Sequence, residues 1–463
     1  MKRILTLMLA AILLLSVAGC GSTQNSGQTA TQTTPQATTS TNNQPADTGN
    51  TVKPVVLQFW GAIPPENGPQ ELVDNWNKDH PEIQVEYTRF VNDDAGNTKL
   101  ETALVAGQVD VFINYLAPSL EKRVEAGLLS PIDDYLVRDG IDLEKEFGDS
   151  NYERNGIRYF IPTYGGSSSY LLYNKDMFDA AGITIPENWT WDQFADIAKQ
   201  LTKGEGTDKV FGASVGSTLA NDDWAFPAHY SFGGDYYYKP GSDTESNFDD
   251  PLFLYSLKLR HRMEAVDKSF ISRMSIKTTK MDVSAEFTKG KVAMVLANYA
   301  LRDVKNLEKY PHDFVTSFAP SPVMPGQETV YSGGLREWIS ISTKSENKDQ
   351  AWEFLKYYAM EGYYPMCKSN RFPAWKGADT SKVADLILGP DKDKIFDTAA
   401  FEKYVMSDPK HRDDVIYKTA AKSEINQYMG EQFEKVLLGE STPEKAIAEL
   451  KEQADKAIAN AQK

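Results

Sequence analysis

The fold is decided by a stretch that begins Val55-Val56-Leu57-Gln58-Phe59-Trp60 and ends Val109-Asp110-Val111-Phe112-Ile113. Both ends are apolar runs of strand length, and the first is followed by a turn rich in glycine and proline. Between them, residues 82–87 alternate polar with apolar, which is typical of a half-buried strand, and 99–106 reads as a helix. Strands that alternate with helices predict an α/β fold with largely parallel sheets.

Two later segments carry helix-start signals. Thr190 and Gln193 have the spacing of a capping box, in which each side chain bonds the other residue's backbone N–H. Thr442-Pro443 supplies an N-cap residue and a proline at the first helical position. The chain from Ser423 onward is therefore predicted to be helical, with Ile447, Leu450, Ala454 and Ile458 facing inward in the last helix.

Composition limits the possible partners. The 463 residues suffice for two or three domains, and 49 basic against 65 acidic residues give a formal charge of −16. This balance argues against nucleic acid as a partner, because phosphate contacts need clustered lysines and arginines. It argues equally against direct adhesion to anionic lipid.

The N-terminus predicts export and lipidation. A cationic start, Met1-Lys2-Arg3, precedes an apolar stretch that ends in Leu15-Ser16-Val17-Ala18-Gly19-Cys20. The small residues before a cysteine resemble a bacterial lipobox, which implies that 1–19 are a signal peptide and that Cys20 carries the lipid, with palmitate among its acyl chains. The alternative is an ordinary signal peptide or an N-terminal anchor with an incidental cysteine.

The segment 20–53 is predicted to be a disordered tether. Residues 21–53 contain no aromatic side chain and are dominated by Thr, Gln, Ser and Asn. Such a segment cannot offset its chain entropy by apolar burial, and as a coil it would reach on the order of 30 Å. We therefore expect a domain held by a lipid anchor on the extracytoplasmic face of the cell membrane.

Five segments, in order along the chain, resemble the extracellular solute-binding proteins of carbohydrate ABC importers, the group that includes maltose-binding proteins. The most specific is Leu171-Leu172-Tyr173-Asn174-Lys175-Asp176-Met177-Phe178, which continues to Trp189-Thr190-Trp191-Asp192. The others are 77–85, 106–111 with 125–132, 287–294, and Gly333-Gly334 with 338–341 and 351–355. The similarity runs over about 55–459, but 236–238 and 281–284 have no counterpart in the family.

The resemblance implies a two-lobed, periplasmic-binding-protein-like fold of type II, in which each lobe is a sheet flanked by helices. Lobe one would hold 54–162 with 319–366, and lobe two 163–318 with 367–463. The hinge crossings would lie near Pro162-Thr163 and Phe318-Ala319-Pro320. It also implies a monomeric binding protein without enzymatic activity that captures a sugar or oligosaccharide and delivers it to the permease subunits of an ABC importer.

Aromatic residues at strand ends are the candidates for ligand contact, because sugar rings pack their C–H faces on aromatic planes and need a few placed polar groups. Some candidates directly follow predicted strands or the Gly333-Gly334 pair, and Trp224 and Trp375 lie in irregular segments of lobe two. The resemblance places a stacking aromatic at Tyr299. The full set is Trp60, Asn114, Tyr115, Tyr164, Trp224, Asn298, Tyr299, Arg336, Trp338 and Trp375.

Each candidate has a purely structural alternative. Trp60 could be a core residue beneath its loop, and Trp338 could pack against a helix. The run Tyr236-Tyr237-Tyr238 is expected to be a surface loop, with ligand contact as the alternative.

Signals for other chemistry are weak. The five histidines lack zinc-ligand spacing, and the aspartates within 391–397 lack the glycine and glutamate of a calcium loop. We therefore predict no metal and no cofactor, and Cys367 is expected to be a buried structural thiol. Two other functions stay open: a lipid-anchored glycoside hydrolase, since two carboxylates could flank a sugar cleft, and a binder of a polyamine or peptide.

Overall fold

The computed structural model describes residues 53–462, apart from 116, 149, 167–168, 216–220, 297–299, 409, 414–417 and 419. A five-stranded sheet contains β1 (Val55–Gly61), β2 (Ile83–Arg89), β3 (Val111–Asn114), β6 (Ile161–Gly165) and β12 (Leu335–Ile341). Its order is β2-β1-β3-β12-β6. Strands β1, β2 and β3 run parallel, and β12 is antiparallel to both of its neighbours.

A four-stranded sheet contains β7 (Tyr170–Asn174), β8 (Phe211–Val215), β9 (Val292–Leu296) and β10 (Thr316–Pro320), in the order β10-β7-β9-β8. Two short ribbons complete the strands. They are β4 (Glu153–Arg154) with β5 (Ile157–Arg158), and β11 (Val330–Ser332) with β13 (His411–Asp413).

Helices separate most of these strands. In the first half they are α1 (Pro69–Asp79), α2 (Asp94–Val105), α3 (Ala117–Glu125), α4 (Asp133–Asp139), α5 (Leu143–Phe147), α6 (Lys175–Ala181), α7 (Trp191–Leu201) and α8 (Phe226–Phe232). The later ones are α9 (Pro251–His261), α10 (Arg273–Thr279), α11 (Val283–Thr288), α12 (Ala300–Val304), α13 (Lys348–Ala359), α14 (Tyr364–Cys367), α15 (Thr380–Leu388), α16 (Lys392–Ile395), α17 (Thr398–Phe401), α18 (Lys422–Leu437) and α19 (Pro443–Ala461). The predicted α/β class is confirmed. Within the described ranges, none of the helices combines the length and apolarity needed to cross a bilayer.

The predicted helix caps are confirmed by their hydrogen bonds. Thr190 Oγ1 accepts from Gln193 N at 3.3 Å, and Gln193 Oε1 accepts from Thr190 N at 2.8 Å. Thr442 caps α19, and the predicted apolar stripe of that helix is buried. The predicted helical C-terminus from Ser423 is present as two helices: α18 ends at Leu437, and α19 begins after the predicted cap, Thr442.

The expectation that Tyr236-Tyr237-Tyr238 forms a surface loop is wrong. All three rings are buried in a cluster with α9, α18 and α19, which we call the helical cluster. The phenols reach polar partners at its margin: Tyr236 donates to Asp222 Oδ2 at 3.0 Å, and Tyr238 donates to the Ala420 carbonyl. Burial with a satisfied hydroxyl is the favourable arrangement for tyrosine.

The chain leaves the five-stranded sheet after Gly165 and enters the four-stranded sheet at Tyr170, and it passes back between Pro320 and Leu335. These exchanges lie after the predicted positions, which fall inside β6 and β10. The two connections touch, because Gly166 N donates to Gly334 O at 2.9 Å. A Cβ at Gly166 would lie 2.3 Å from Gly333 Cα, so only glycine fits this close approach.

A third segment, assigned to lobe two from the sequence, lies along β6. Gly165 N donates to Phe372 O at 3.0 Å, and Ala374 N donates to Thr163 O at 3.1 Å. Farther on, Phe396 and Phe401 pack on Phe318 of the four-stranded sheet, with ring centroids 6.0 and 5.1 Å away. The division into 54–162 with 319–366 and 163–318 with 367–463 stays a prediction.

Candidate functional site

The candidate site lies at one edge of the five-stranded sheet. Strands β3 and β6 are both antiparallel to β12, so their carboxyl ends lie where β12 begins, and the end of the parallel strand β1 lies at the same edge. The register pairs Arg336 with Tyr164 and Trp338 with Asn114. We call this the carboxyl edge; such edges are where open α/β sheets bind ligands.

The aromatic candidates at this edge differ in exposure. Trp60 is only 8% exposed, and Lys99 Nζ lies 5.6 Å from its ring centroid. Tyr115 is half-buried, and its hydroxyl oxygen accepts from Ala62 N at 2.6 Å. Trp338 is half-buried and meets Phe160 edge-on, with centroids 6.1 Å apart. Tyr115 and Trp338 are therefore exposed to a larger fraction of their surface than Trp60.

Asn114 is committed to internal hydrogen bonds. Its side chain is fully buried, and Nδ2 donates to Trp338 O and Ser340 Oγ, both at 3.2 Å. Its Oδ1 accepts from Arg123 Nη1 at 2.8 Å. In this structure the amide ties β3 to β12 and α3, and its predicted ligand contact stays a prediction.

Tyr164 lies under a guanidinium group that the sequence did not reveal as part of a site. The Arg371 guanidinium is 5.6 Å from the Tyr164 ring centroid. Burial raises the pKa of the Tyr164 phenol. The cross-strand neighbour Arg336 is exposed, and its Nε donates to Gly333 O at 3.1 Å.

Glu337, between the candidates Arg336 and Trp338, has an unusual backbone conformation. Its φ is +61°, in the left-handed region, and its carbonyl accepts from Thr163 Oγ1 at 2.9 Å. The residue is 7% exposed, and Oε1 accepts a hydrogen bond from Arg371 Nη1. Non-glycine residues in this region are strained and concentrate at functional sites.

Charge and burial perturb the groups around Glu337. Burial raises the pKa of the Glu337 carboxyl, against the opposing charge of Arg371. Burial, and then the Glu337 charge, raise the pKa values of Tyr115 and Tyr363. We call Glu337, Arg371, Tyr164, Tyr115 and Tyr363 the Glu337 cluster. Perturbed ionisable groups at a strand edge mark a candidate functional site.

Trp375 lies beside this edge on the segment that follows β6. Its Nε1 donates to Glu146 Oε2 at 3.0 Å, and its ring is half-buried. It lines a cavity of about 250 Å³ together with Gly166 and Phe372, and with Val405, Met406, Asp408 and His411 from beyond α17. Aromatic and apolar walls with a few polar groups are typical of small-ligand sites.

The structure does not bring Trp224 to the carboxyl edge. Its side chain is 2% exposed inside the helical cluster, and Nε1 donates to Met429 O at 3.2 Å. The predicted contacts Asn298 and Tyr299 and the lipidated Cys20 lie outside the described residues. A wider groove of about 800 Å³, lined by residues of 133–158, contains none of the predicted site residues.

The prediction for Cys367 is confirmed. Its thiol is free and fully buried, and burial raises its pKa to about 12. No group of three or more His, Cys, Asp or Glu side chains is placed to hold a metal ion, as far as the structure describes the chain.

Comparison with known proteins places the chain in a family. A family described as bacterial extracellular solute-binding protein matches residues 63–364. The chain belongs to this family. The resemblance drawn from the sequence segments is thereby confirmed, and the family is one of solute-binding proteins.

Relatives of known sequence are distant. A binding protein of Brucella abortus is 28% identical over 264 residues, which are 53% of this chain and 59% of that protein. An arabinooligosaccharide-binding protein of Halalkalibacterium halodurans is 29% identical over 206 residues, 42% of this chain and 43% of that protein. The chain thus spans about half the length of these relatives.

Among solved structures, an ABC substrate-binding protein of Listeria monocytogenes in complex with cycloalternan shares the fold. It is 22% identical, with a TM-score of 0.67 over 88% of this chain and 99% of that one. The predicted two-lobed fold, with sheets flanked by helices, is confirmed.

Proposed function

We propose that the chain captures a sugar or oligosaccharide between its lobes and delivers it to the permease of an ABC importer. The observation that carries the proposal is the convergence of Tyr115, Tyr164, Trp338 and, beside them, Trp375 at the carboxyl edge. Aromatic planes beside polar groups are what a sugar ring requires. Relatives named for arabinooligosaccharide and cycloalternan support the same ligand class.

Capture requires only binding and closure. The two glycine-bearing connections and the segment 371–376 lie where the chain passes between the sheets, so a hinge there would change the width of the cleft. A ligand that contacts both lobes favours the closed state by its differential affinity. We propose that no bond of the ligand is broken.

The test is a titration of intrinsic tryptophan fluorescence with neutral oligosaccharides, among them arabinotriose and maltotriose, followed by calorimetry on those that respond. The proposal expects saturable binding of at least one sugar, and loss of that binding in a Tyr164→Ala, Trp338→Ala double variant. Failure of every sugar to bind the wild-type chain would contradict it.

The hydrolase alternative is tested on the same samples. In a glycoside hydrolase one carboxyl acts as acid and a second as nucleophile or base. Glu337 is poorly suited to either role, because Arg371 binds one of its oxygens and the side chain is 9% exposed. We expect labelled arabinotriose and maltotriose to stay intact after prolonged incubation, and turnover that disappears in Glu337→Gln would favour the hydrolase.

We also propose that Cys20 is the lipidated mature N-terminus and that 20–53 tether the domain outside the membrane. The support is the run Leu15-Ser16-Val17-Ala18-Gly19-Cys20 after an apolar stretch. Cells that express the full chain should incorporate labelled palmitate into it and retain it in the membrane fraction. A Cys20→Ser chain should do neither, and unchanged labelling would refute the lipobox.

A further inference from the structure

Arg371 and Glu337 form a pair that no sequence signal indicated, at the edge where the sugar is proposed to bind. We propose that Arg371 contacts the ligand, that Glu337 positions it, and that the pair selects an uncharged sugar. This inference rests on the proposed function and names the ligand's charge class and two further residues of the site.

Arg371 keeps donors available to a ligand. Its side chain is 23% exposed, and Nη1 is bound to Glu337. Among the described residues, no protein group accepts a hydrogen bond from its Nε or Nη2, and neither nitrogen is fully buried. With the side chain 23% exposed, these N–H groups are left to donate to sugar hydroxyl oxygens.

The guanidinium is held in one orientation from two sides. Glu337 binds its Nη1 end, and the Tyr164 ring lies 5.6 Å from its centre. A planar fork that is fixed in this way loses little conformational entropy when it forms hydrogen bonds. Arg371 is thus pre-organised for a ligand at the carboxyl edge.

Backbone strain places the Glu337 carboxylate. With φ at +61°, the Glu337 carbonyl meets the Thr163 hydroxyl at 2.9 Å, which joins β12 to β6 at this point. A non-glycine residue adopts this conformation at a free-energy cost, and such strain recurs at ligand clamps. An ordinary surface ion pair would not require it.

The pair is electrically balanced. The Glu337 carboxylate neutralises the Arg371 guanidinium, and its Oε2 is buried without a hydrogen-bond partner in the part of the chain that the structure describes. A phosphate or uronate at Arg371 would add a second anion beside this buried carboxylate, which is unfavourable in a poorly solvated site. Neutral hydroxyl groups accept from Arg371 without that cost.

The chain offers a matched control. Arg154 binds Glu121 and lies 5.6 Å from the Phe160 ring centroid, so it repeats the arrangement of a glutamate, an arginine and an aromatic ring. Arg154 belongs to the β4–β5 ribbon. Its partner Glu121, unlike Glu337, does not have a left-handed backbone conformation. Among the described residues, Arg154 bonds Glu121, Asn151 and Glu153 and none of the predicted site residues. An Arg154→Met variant therefore removes a similar pair that is separated from Trp338 by the Phe160 ring.

The test measures dissociation constants by fluorescence titration for arabinotriose and maltotriose, and for trigalacturonate and sn-glycerol-3-phosphate as anionic probes. Arg371→Met should weaken the neutral sugar by about tenfold or more, as expected for loss of charge-assisted hydrogen bonds. Glu337→Gln leaves the guanidinium uncompensated, so the ratio of anionic to neutral affinity should rise by about tenfold. Arg154→Met should change both by less than about twofold.

A double variant, Glu337→Gln with Arg371→Met, keeps the test valid if Arg371→Met alone fails to fold, because it buries no lone charge. It should fold, as judged by circular dichroism, and bind the neutral sugar as weakly as Arg371→Met. If both Arg371 variants bind the neutral sugar within about twofold of wild type, the inference is overturned and the proposed function is left standing. Wild-type preference for the anionic probes would overturn the charge selection, and binding of no sugar at all would overturn the proposed function with it.

Discussion

The protein buries two sets of paired charges, and they differ in their access to solvent. In the helical cluster, Asp223 lies 3.8 Å from Arg260 and 3.6 Å from Arg273, whose side chains are only 5% and 3% exposed. In the Glu337 cluster, Arg371 is 23% exposed. Both clusters are costly to desolvate, but the side chain of Arg371 is several times more exposed than those of Arg260 and Arg273.

We call the buried charges of the helical cluster, Asp223, Arg260, Arg273 and Glu264, the enclosed set, and aromatic rings pack against its two arginines. The Arg260 guanidinium lies 3.9 Å from the Phe270 centroid, and Arg273 lies 5.9 Å from Phe433. Glu264 accepts from Arg260 Nε at 3.3 Å. Rings and carboxylates contact these cations on several sides and connect α9, α10 and α18.

The largest expected effect comes from breaking the enclosed set. Arg260→Met leaves Asp223 and Glu264 short of a counter-charge in a buried site, and should lower the free energy of unfolding by about 3–5 kcal/mol. Urea denaturation measures this loss, while the sugar affinity of the folded protein should be unchanged. The neighbour Arg262, 37% exposed and paired with Asp267, is the control, and Arg262→Met should cost about 1 kcal/mol or less.

The helical cluster and the cavity beside the carboxyl edge separate two tryptophans that the sequence treated alike. Trp224→Ala removes a ring enclosed by the helical cluster and should cost about 3–5 kcal/mol of unfolding free energy with little effect on sugar binding. Trp375→Ala removes a half-buried ring at the cavity and should instead cost about 2 kcal/mol of binding free energy. Denaturation and titration of both variants decide this, and a Trp224→Ala protein that folds normally but no longer binds sugar would reverse the assignment.

The pH dependence of stability should have opposite signs at two carboxylates, Glu337 and Glu434. Burial raises the folded pKa of Glu337, so its contribution is present below about pH 4.3, the ordinary glutamate value, and is lost as the pH rises through the raised pKa. At Glu434, burial acts in the same upward direction, but the Lys277 hydrogen bond and the Arg273 charge outweigh it and lower the pKa. Its contribution is present above the ordinary value and is lost as the pH falls.

Urea denaturation between about pH 3 and pH 7 can check these signs, with glutamine variants as references. Relative to Glu337→Gln, the wild-type chain should lose stability as the pH rises, by about 1.4 kcal/mol for each unit of the upward shift. Relative to Glu434→Gln, it should gain stability over the same change. If the unfolding free energy of wild type relative to each variant changed equally with pH, the two carboxylates would occupy similar environments.

Sequence reasoning succeeded where the signal is local. The β1 strand, the Thr190 cap and the apolar stripe of α19 each follow from neighbouring residues, and all are present. The strand-end rule also brought Tyr115 and Tyr164 to the carboxyl edge, since it requires only that a polar or aromatic residue ends or follows a strand, and their contact with a ligand stays a prediction.

It failed where partners are distant in the chain. The burial of 236–238 depends on α18 and α19, which begin almost 200 residues later, so composition alone suggested a surface loop. Glu337 and Arg371 are on different elements, and their pairing and the left-handed φ of Glu337 exist only once β12, β6 and the 371–376 segment are assembled. A buried charge in a strand that otherwise alternates polar and apolar residues looks like one more solvent-facing position.

The smallest expected effect is an absence of reaction, and it reports on the interior of the Glu337 cluster. Cys367 is one of two cysteines, so Cys20→Ser leaves it as the single thiol. With a buried side chain and a pKa near 12, it should react negligibly with a disulfide reagent at pH 8, since the thiolate is the nucleophile, and fully in urea. Tyr363, a member of the Glu337 cluster, lies in the same buried core as Cys367. If ligand release opens the Glu337 cluster further than the 23% exposure of Arg371, labelling of Cys367 should be faster without ligand and slower when sugar is added. Fast labelling under both conditions would show that the cluster is no more enclosed than the protein surface.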